Sequence, residues 1–307
     1  MVDNLKIAIL MTTKNSSLYL LDQLNSIINQ TFTNFDLHIA DDGSSDATLE
    51  IIEKFKKEYP LLTVYTYKNN FNSFQKNFLH TLKNLKNDYD YYCFCDHDDI
   101  WLPNKINDSI SVLAELSSQT PQLFCSRTEI IDANNRKIAS SPPFSKTPSL
   151  KNAIVQSIAG GNTMTFNHKV KNILSQIKDY DQIVSHDWIA YLLVTANNGR
   201  VIFSHEFLVK YRDHESNIIG PNSSLLQRYD RLKNLLSGGY GDWIEKNNQV
   251  LMTCELPPES AKIIKYLSLF RSPKIVERLK CLKEIKPYRQ TLFSTIAVYL
   301  SIIFRKI

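Results

Sequence analysis

The chain has 307 residues, 43% of them apolar and 22% charged, which is typical of a globular protein and excludes a disordered one. Five cysteines, an odd and scattered set, exclude a disulfide framework, and the apolar run 7–11 is too short for a signal-peptide core. We therefore expect a protein of a reducing compartment, the cytoplasm.

The net charge of +5 is unevenly distributed. Residues 271–307 hold nine Lys or Arg against two Glu, a net charge of +7, so the remaining residues carry −2. The basic character belongs to a C-terminal tail and not to the whole fold. We therefore expect no nucleic-acid partner.

Short apolar runs alternate with helical periodicity through the first half of the chain. The predicted strands are 5–11, 35–40, 61–67 and 90–95. The predicted helices are 18–28, 46–55, 74–85 and 103–116. This alternation predicts βαβ units in an α/β fold with a mainly parallel sheet, which binds ligands at the carboxyl ends of its strands.

The second half has a looser pattern. Residues 122–127 and 200–211 read as extended, 160–166 as a turn leading into a strand, and 187–195 as a helix. Further helices are predicted at 225–236, 260–270, 273–285 and 288–304. We expect one α/β domain over 1–220, with halves 1–116 and 117–220, and a helical extension over 221–307.

Polar clusters follow three of the predicted strands, at 12–15, 41–44 and 96–99. Because the strands are parallel, these clusters should lie on one edge of the sheet. Three carboxylates within 96–99 repel one another and lose solvation if they are enclosed. Mg²⁺ or Mn²⁺ would compensate them, since these cations prefer oxygen ligands and often share them with a substrate phosphate.

The turn after the first strand, 12–17, contains no glycine. A dinucleotide-binding phosphate loop needs glycines for close approach of the backbone, and a Walker A loop is also missing from the sequence. A nucleotide would therefore be held by a base and ribose pocket, with a metal ion on its diphosphate.

These motifs resemble the family 2 glycosyltransferases of the GT-A fold. The resemblance is carried by 9–15, 26–32, Asp41-Asp42-Gly43-Ser44 and Asp96-His97-Asp98-Asp99. Two later motifs, Ser185-His186-Asp187-Trp188 and the run 211–217, are similar to the subgroup that builds bacterial surface polysaccharides, particularly rhamnosyltransferases. The resemblance covers about seven tenths of the chain, 5–220.

The resemblance implies a set of donor contacts on the strand ends. Thr12 and Asp42 would contact the nucleotide base, and Asp96 would lie near the ribose. Lys14 and Asn77 are placed with these donor-binding residues. Asp98 would bind a metal ion that bridges the diphosphate, with His214 as a further metal ligand or diphosphate contact.

The resemblance also implies the catalytic base and the acceptor side. Asp187 would remove the proton of the acceptor hydroxyl, and a single displacement would invert the anomeric centre. The residues predicted to border the acceptor are Gly160, Gly161, Asn162, His186 and Trp188. His186 departs from the acidic residue that many family members carry at that place.

Each motif has an alternative interpretation. The run 41–46 taken alone is typical of a turn with a helix N-cap, and Asp187 alone could cap a helix. Cys93 and Cys95 with His97 might suggest zinc, but a complete ligand set at the usual spacing is missing and core cysteines are favoured. Trp188 could be a packing anchor.

The tail contains an uncharged run, 290–304, preceded by the cationic stretch 271–289. A spanning helix needs about 20 residues, so we do not predict a transmembrane segment. A basic amphipathic tail at the membrane interface is preferred over a bundle helix that packs on the fold or on a partner subunit. Homo-oligomerisation is left open.

The sequence thus favours an inverting, metal-dependent glycosyltransferase at the inner face of a bacterial membrane. The resemblance implies transfer of L-rhamnose from dTDP-rhamnose to a glycan acceptor, including a polyprenyl-linked one. Transfer of glucose, galactose or GlcNAc from UDP is the alternative. A nucleotidyltransferase and a non-catalytic glycan-binding module are two further hypotheses.

Overall fold

A computed structural model describes residues 4–86, 89–214 and 239–307. The strands are β1 (Ile7–Thr13), β2 (Phe35–Asp41), β3 (Val64–Lys68), β4 (Tyr91–Asp96), β5 (Ile100–Trp101), β6 (Gln122–Ile131), β7 (Lys137–Ser140), β8 (Thr165–Asn167) and β9 (Arg200–Arg212). The helices are α1 (Leu20–Ile28), α2 (Thr48–Glu58), α3 (Phe74–Lys83), α4 (Lys105–Ala114), α5 (Leu150–Ala153), α6 (His168–Ser175), α7 (His186–Ala196), α8 (Gly239–Met252), α9 (Pro258–Leu267), α10 (Ile275–Ile285) and α11 (Leu292–Ile303).

The α/β alternation of the first half is confirmed, with ends shifted by a few residues. Several elements of the second half were not predicted: the short strands β5 and β7, and the helices α5, α6 and α8. Strand β6 also continues to Ile131, four residues beyond the prediction. The predicted helix 225–236 lies outside the described residues.

The strands form one sheet in the order β3-β2-β1-β4-β8-β6-β9-β5, with β7 paired to β6. Its longest pairings are parallel: β1 with β2, β1 with β4, β2 with β3, and β6 with β9. The pairings of β8 with β4 and β6 are antiparallel and short. The mainly parallel sheet is confirmed.

Both faces of the sheet are buried. Along β1, Ala8 and Leu10 enter one apolar core, while Ile7, Ile9 and Met11 enter the other. Alternate side chains of a strand point to opposite faces, so a strand in the middle of a covered sheet is apolar throughout. This explains why the strand sequences read as continuous apolar runs.

The helices after residue 239 pack on the sheet domain. Ile244, Leu282 and Ile302 belong to the same core as Phe94 of β4. Hydrogen bonds also join these helices to the rest of the fold; for example, Tyr240 Oη donates to the Val155 carbonyl at 2.8 Å. None of the helices in the described part of the chain is both long and apolar enough to cross a bilayer.

Candidate active site

The polar ends of β1, β2 and β4 meet at one edge of the sheet. Thr12 of β1 pairs in register with Ala40 of β2 and with Asp96 of β4, and Thr13 pairs with Asp41. Neighbouring parallel strands bring their carboxyl ends together, which is the geometry expected from the sequence. We call this cluster the donor edge, defined by residues 12–15, 41–44 and 96–99.

Asp41 organises the turn after β2. Its carboxylate accepts hydrogen bonds from Thr13 Oγ1 at 2.9 Å and from the backbone amides of Gly43 and Ser44 at 3.1 and 2.9 Å. Gly43 has a φ of +80°, which a residue with a Cβ rarely adopts. The turn interpretation therefore describes Asp41, which is buried and fully engaged.

Asp42 joins the donor edge to the loop 69–73. Its carboxylate accepts hydrogen bonds from the backbone amides of Phe71 and Ser73, the latter at 3.0 Å. Lys14 Nζ donates to Asn72 Oδ1 on the same loop. The structure thus places two predicted donor-binding residues, Asp42 and Lys14, beside a loop that sequence reasoning did not include.

Asn77 lies beneath this loop and not at its surface. Its Nδ2 donates to the Ala40 carbonyl at 2.8 Å, and its Oδ1 accepts from Asn69 Nδ2 at 2.7 Å. The side chain is buried and both of its polar atoms are partnered. Asn77 therefore holds the end of β2 against the loop, which does not support the predicted direct contact with the donor.

The aspartates after β4 have separate environments. Asp98 Oδ2 lies 3.0 Å from His214 Nε2 and 3.9 Å from His97 Nε2. Asp99 is completely buried, where it accepts a hydrogen bond from the Arg212 backbone amide at 3.1 Å and another from Asn162 Nδ2. Asp98 is thus the accessible member of the pair, and Asp99 ties the loop to β9 and to residue 162.

The carboxylates influence one another strongly. Loss of solvation, followed by the charges of Asp98 and Asp187, raises the pKa of Asp96 to about 8. Burial, then the charges of Asp98 and Asp96, raises the pKa of Asp99 well above its usual range. Asp187, which is distant in sequence, therefore belongs electrostatically to the donor edge.

A cation would relieve this accumulation of negative charge. Across residues 4–86, 89–214 and 239–307, however, no group of three or more His, Cys, Asp or Glu side chains is arranged to hold a metal ion. The pair Asp98 and His214 supplies one carboxylate and one imidazole. Mg²⁺ is commonly held by one or two carboxylates plus substrate phosphates, so this pair fits a metal ion that is shared with a diphosphate.

Arg212, at the end of β9, anchors residues 96–99, which we call the aspartate-rich loop. Its guanidinium is buried, where Nε donates to the Asp98 carbonyl at 2.9 Å and Nη2 contacts Asp22 Oδ2 of α1 at 2.9 Å. The same guanidinium lies 4.4 Å from the ring centroid of Tyr19, and that ring is 5.0 Å from the ring of His214. Sequence reasoning quoted the 211–217 motif but assigned no role to Arg212, and nothing in the sequence pointed to Tyr19 or Asp22.

Asp187 lies in the first turn of α7 and is half-buried. Its Oδ1 accepts a hydrogen bond from the backbone amide of Trp188 at 2.6 Å, as an acidic residue at a helix start often does. The N-cap of α7 is Ser185, so Asp187 is an acidic residue of the first turn with one carboxylate oxygen occupied by this bond. The bond does not exclude a chemical role for the other, which faces no protein donor among the described hydrogen bonds.

The neighbours of Asp187 on α7 are buried. The His186 ring stacks on Phe78 with centroids 4.2 Å apart, and no hydrogen-bond partner is described for either of its nitrogens. Trp188 Nε1 donates to the Ala153 carbonyl at 2.7 Å, and its ring stacks on Tyr240. Both side chains anchor α7 in the core, so the structure does not support their predicted direct contact with an acceptor.

The loop that was predicted to border the acceptor, which we call the acceptor loop, contains a 3-10 turn over Gly161–Thr163 that covers His186. A Cβ added to Gly161 would lie 2.1 Å from His186 Nε2, so only glycine fits there. Asn162 is turned inward to Asp99, and Gly160 is the exposed residue of the predicted acceptor set. The loop lies beside the aspartate-rich loop, to which it is joined by the hydrogen bond from Asn162 to Asp99.

Comparison with known proteins agrees with this geometry. The family model described as Glycosyl transferase family 2 matches residues 8–174. A protein of Shigella flexneri named dTDP-rhamnosyl transferase RfbG is 30% identical over 243 residues, which are 72% of this chain and 78% of the relative. An uncharacterized glycosyltransferase of Rickettsia typhi is 26% identical, over 74% of this chain and 70% of its own.

Solved structures show the same fold. S. aureus TarS 1–349 in complex with UDP-GlcNAc aligns with a TM-score of 0.60 at 15% identity, over 98% of this chain and 88% of that one. A mannosyltransferase from Pyrobaculum calidifontis, in complex with GDP-Man and Mn²⁺, aligns with a TM-score of 0.53 at 12% identity and the same coverage. The fold is GT-A, and this chain belongs to glycosyltransferase family 2.

Proposed function

We propose that the protein is an inverting, metal-dependent glycosyltransferase that moves L-rhamnose from dTDP-rhamnose to a glycan acceptor. The observation that carries this proposal is the position of Asp187 beside the end of β4: the ring of His186, its neighbour on α7, lies 4.7 Å from the ring of Phe94, two residues before Asp96. The charge of Asp187 accordingly contributes to the raised pKa of Asp96. One carboxylate thus lies across from a cluster that can hold a nucleoside diphosphate. This arrangement suits transfer from a nucleotide-activated donor.

On the donor side, Thr12 and Asp42 contact the base and Asp96 the ribose. Lys14 borders the diphosphate from the opposite side of the turn. Asp98 and His214 would hold the divalent ion, Mn²⁺ or Mg²⁺. When bound, this ion neutralises the negative charge that develops on the leaving diphosphate.

On the acceptor side, Asp187 takes the proton of the attacking hydroxyl. The acceptor oxygen forms its bond to the anomeric carbon while the bond between that carbon and the diphosphate oxygen breaks. The nucleoside diphosphate leaves with the bonding electron pair, and a single displacement inverts the centre. An aspartate is a strong enough base for this step, because the hydroxyl becomes acidic only as its new bond forms.

The donor assignment rests on the relative named dTDP-rhamnosyl transferase. A UDP-linked hexose is the second candidate, supported by the TarS structure that contains UDP-GlcNAc. A nucleotidyltransferase would release pyrophosphate, and a non-catalytic module would release nothing. Neither is favoured by an observation as specific as the position of Asp187.

The acceptor is proposed to be a lipid-linked glycan, and the enzyme to act as a peripheral protein at the inner face of the membrane. Support comes from the cationic segment 271–289, which suits anionic headgroups. Self-association is proposed as compatible with this arrangement and is not required by it.

A nucleotide-sugar panel tests the donor assignment. The protein is heated with dTDP-rhamnose, UDP-glucose, UDP-GlcNAc or GDP-mannose, each with Mn²⁺, Mg²⁺ or EDTA, and the unfolding temperature is recorded. The true donor raises it by mass action, and release of the matching nucleoside diphosphate confirms turnover. Stabilisation by dTDP-rhamnose that disappears with EDTA is expected. No response to any nucleotide would overturn the proposal.

A further inference from the structure

The last helix, α11, carries no charged residue and is packed against the molecule on only one side. Val298, Ser301 and Ile302 are buried against the rest of the molecule. Five large apolar side chains point outward, and their exposed fractions are Leu292 69%, Phe293 87%, Ile296 47%, Leu300 46% and Phe304 68%. We call these five residues the outer face of α11.

The outer face is continuous. Positions 292, 296, 300 and 304 recur every four residues, so they form one stripe along the helix, and Phe293 lies beside its start. The helix of 12 residues is about 18 Å long. No residue between 290 and 304 is charged.

Such a face is unusual on a protein that is surrounded by water. Helices at a protein surface normally turn charged residues toward the solvent, and large exposed apolar patches mark interaction sites. In the part of the chain that the structure describes, each of these five side chains remains at least 46% exposed. These five side chains therefore form a candidate surface for an external partner.

The charge of the segment that contains the outer face indicates the kind of partner that would cover it. Six basic residues next to the outer face in sequence are exposed: Lys274, Lys280, Lys283, Lys286, Arg305 and Lys306. The acids of this segment, Glu277 and Glu284, lie within 4.0 Å of Lys274 and Lys262, respectively. A net charge of +7 over 271–307 attracts a negatively charged surface.

We propose that the outer face of α11 inserts into the interface of an anionic lipid bilayer. The apolar stripe enters the boundary between headgroups and acyl chains, and the lysines contact the headgroup phosphates. The proposal gives a defined surface to the peripheral association proposed above. It also replaces the idea of a free amphipathic tail, because the opposite side of α11 is part of the core.

Vesicle sedimentation tests this proposal without any sugar nucleotide. The full chain is mixed with vesicles of phosphatidylcholine, with or without about 30% phosphatidylglycerol. The wild type should sediment with the anionic vesicles only. The double variant Phe293→Ser/Leu300→Ser should bind at least about tenfold more weakly, since two apolar anchors are lost.

The matched control is Leu61→Ser, which removes a fully exposed apolar residue from the sheet domain and should bind like the wild type. Lys283→Glu/Lys286→Glu should reduce binding to anionic vesicles. The proposal is overturned if the Phe293→Ser/Leu300→Ser variant binds as the wild type does. It is also overturned if the wild type ignores vesicles and light scattering shows a dimer that this variant dissociates.

A second inference concerns Arg212 and rests on the proposed function. Besides the Asp98 carbonyl and Asp22, its guanidinium contacts the Ala133 carbonyl at 3.4 Å and Asn135 Oδ1. One buried cation therefore joins the aspartate-rich loop to α1 and to the β6–β7 turn. We infer that Arg212 is a positioning residue that fixes the backbone of Asp98.

Substitution with rescue tests this role. Arg212→Met should lower kcat/KM by at least about 100-fold and accelerate hydrogen exchange of amides 98–101, because charge-assisted hydrogen bonds are lost. Arg212→Lys should recover part of both. Arg278→Met is the control, since this buried arginine donates to the Ser272 and Ile303 carbonyls, far along the chain from the site.

The two readouts separate positioning from simple support of the fold. Arg278→Met should lower the unfolding temperature while kcat/KM stays within about twofold. If Arg212→Met does not fold, Asp22→Asn carries the test, because Asp22 is half exposed and supplies one contact. The inference is overturned if exchange at 98–101 is unchanged. Unchanged exchange with normal donor binding would leave the proposed function intact.

Discussion

The donor edge and the helices of 239–307 expose opposite kinds of group. At the donor edge, burial and the charges of Asp98 and Asp187 raise the pKa of Asp96, so its carboxylate is costly to charge. In the last helix, apolar side chains face outward and no charge is present for fifteen residues, 290–304. Clustered carboxylates and exposed apolar side chains both disfavour folding. Their presence indicates that each region binds a partner.

Removal of the carboxylate of Asp187 should have the largest effect on activity. An equivalent change in the helices of 239–307 should have none. Asp187→Asn keeps the shape but cannot accept the acceptor proton, so kcat should fall by about 10³-fold. Asp242→Asn is the control, because Asp242 forms an exposed ion pair with Arg271 on the helical side. Equal kcat values for both variants and wild type would contradict the assignment of the base.

Two buried histidines should weaken the fold in mild acid, and both belong to the sheet part of the molecule, since residues 239–307 contain no histidine. Burial lowers the pKa of His38 and of His186 from 6.5 to about 4, so both are neutral when folded. At each of these histidines the unfolded chain binds more protons between these values, so the two groups lower the stability as the pH drops from 6.5 to 4. Asp96 acts in the opposite direction, because its pKa of about 8 lies above the unfolded value and the folded chain holds the extra proton. At pH 5 the loss is about 2 kcal/mol for each histidine.

Urea unfolding at pH 7 and pH 5 measures this loss. His38 is buried and bonded to Tyr67 Oη and Tyr89 Oη, so His38→Gln should remove a loss of about 2 kcal/mol from the change in unfolding free energy between pH 7 and pH 5. His205→Gln, at an exposed position, should leave the difference unchanged. A pH dependence that survives His38→Gln in full would exclude this source.

The two sides of α11 should respond differently to truncation. Ile302→Ala opens a cavity in the core and should reduce the free energy of unfolding by about 2–4 kcal/mol. Leu300→Ala, on the outer face, should change it by no more than about 0.5 kcal/mol. Denaturant unfolding without lipid makes the comparison. Similar losses would show that both sides are packed.

A methyl group on the acceptor loop should have the smallest effect of the four. Gly161→Ala would press on His186 Nε2 and should cost about 1–3 kcal/mol. Gly239→Ala, at the start of α8, meets nothing within 4 Å and is the matched control. If Gly161→Ala is as stable as wild type, the loop is free to move away from His186.

Much of the donor edge could be predicted because it depends on local order. Apolar runs separated by helical periods determine which residues end strands, and parallel neighbours bring those ends together. Asp41, Asp96 and Asp98 were located in this way. The contacts of Asp187 were not, since nothing near that residue in sequence shows that α7 begins beside β4.

The buried residues show the limit most clearly. His186 and Trp188 flank Asp187 and were predicted to contact an acceptor, yet consecutive residues of a helix point in different directions and both rings enter the core. Arg212 is the opposite case, because no role was predicted for it and the structure gives it several contacts. Its importance depends on three segments that meet only in the folded chain, at 19–22, 98–99 and 133–135.

The sequence by itself determined the α/β alternation, the strand-end carboxylates and the basic, apolar tail, because periodicity and charge are properties of neighbours along the chain. The tertiary structure decided which side of each element is covered. It turned Asp99 inward and Asp98 outward, and it buried Ile302 while Leu300 stayed exposed. Burial is a relation between distant segments, so only the packed molecule could assign these side chains to core, site or surface.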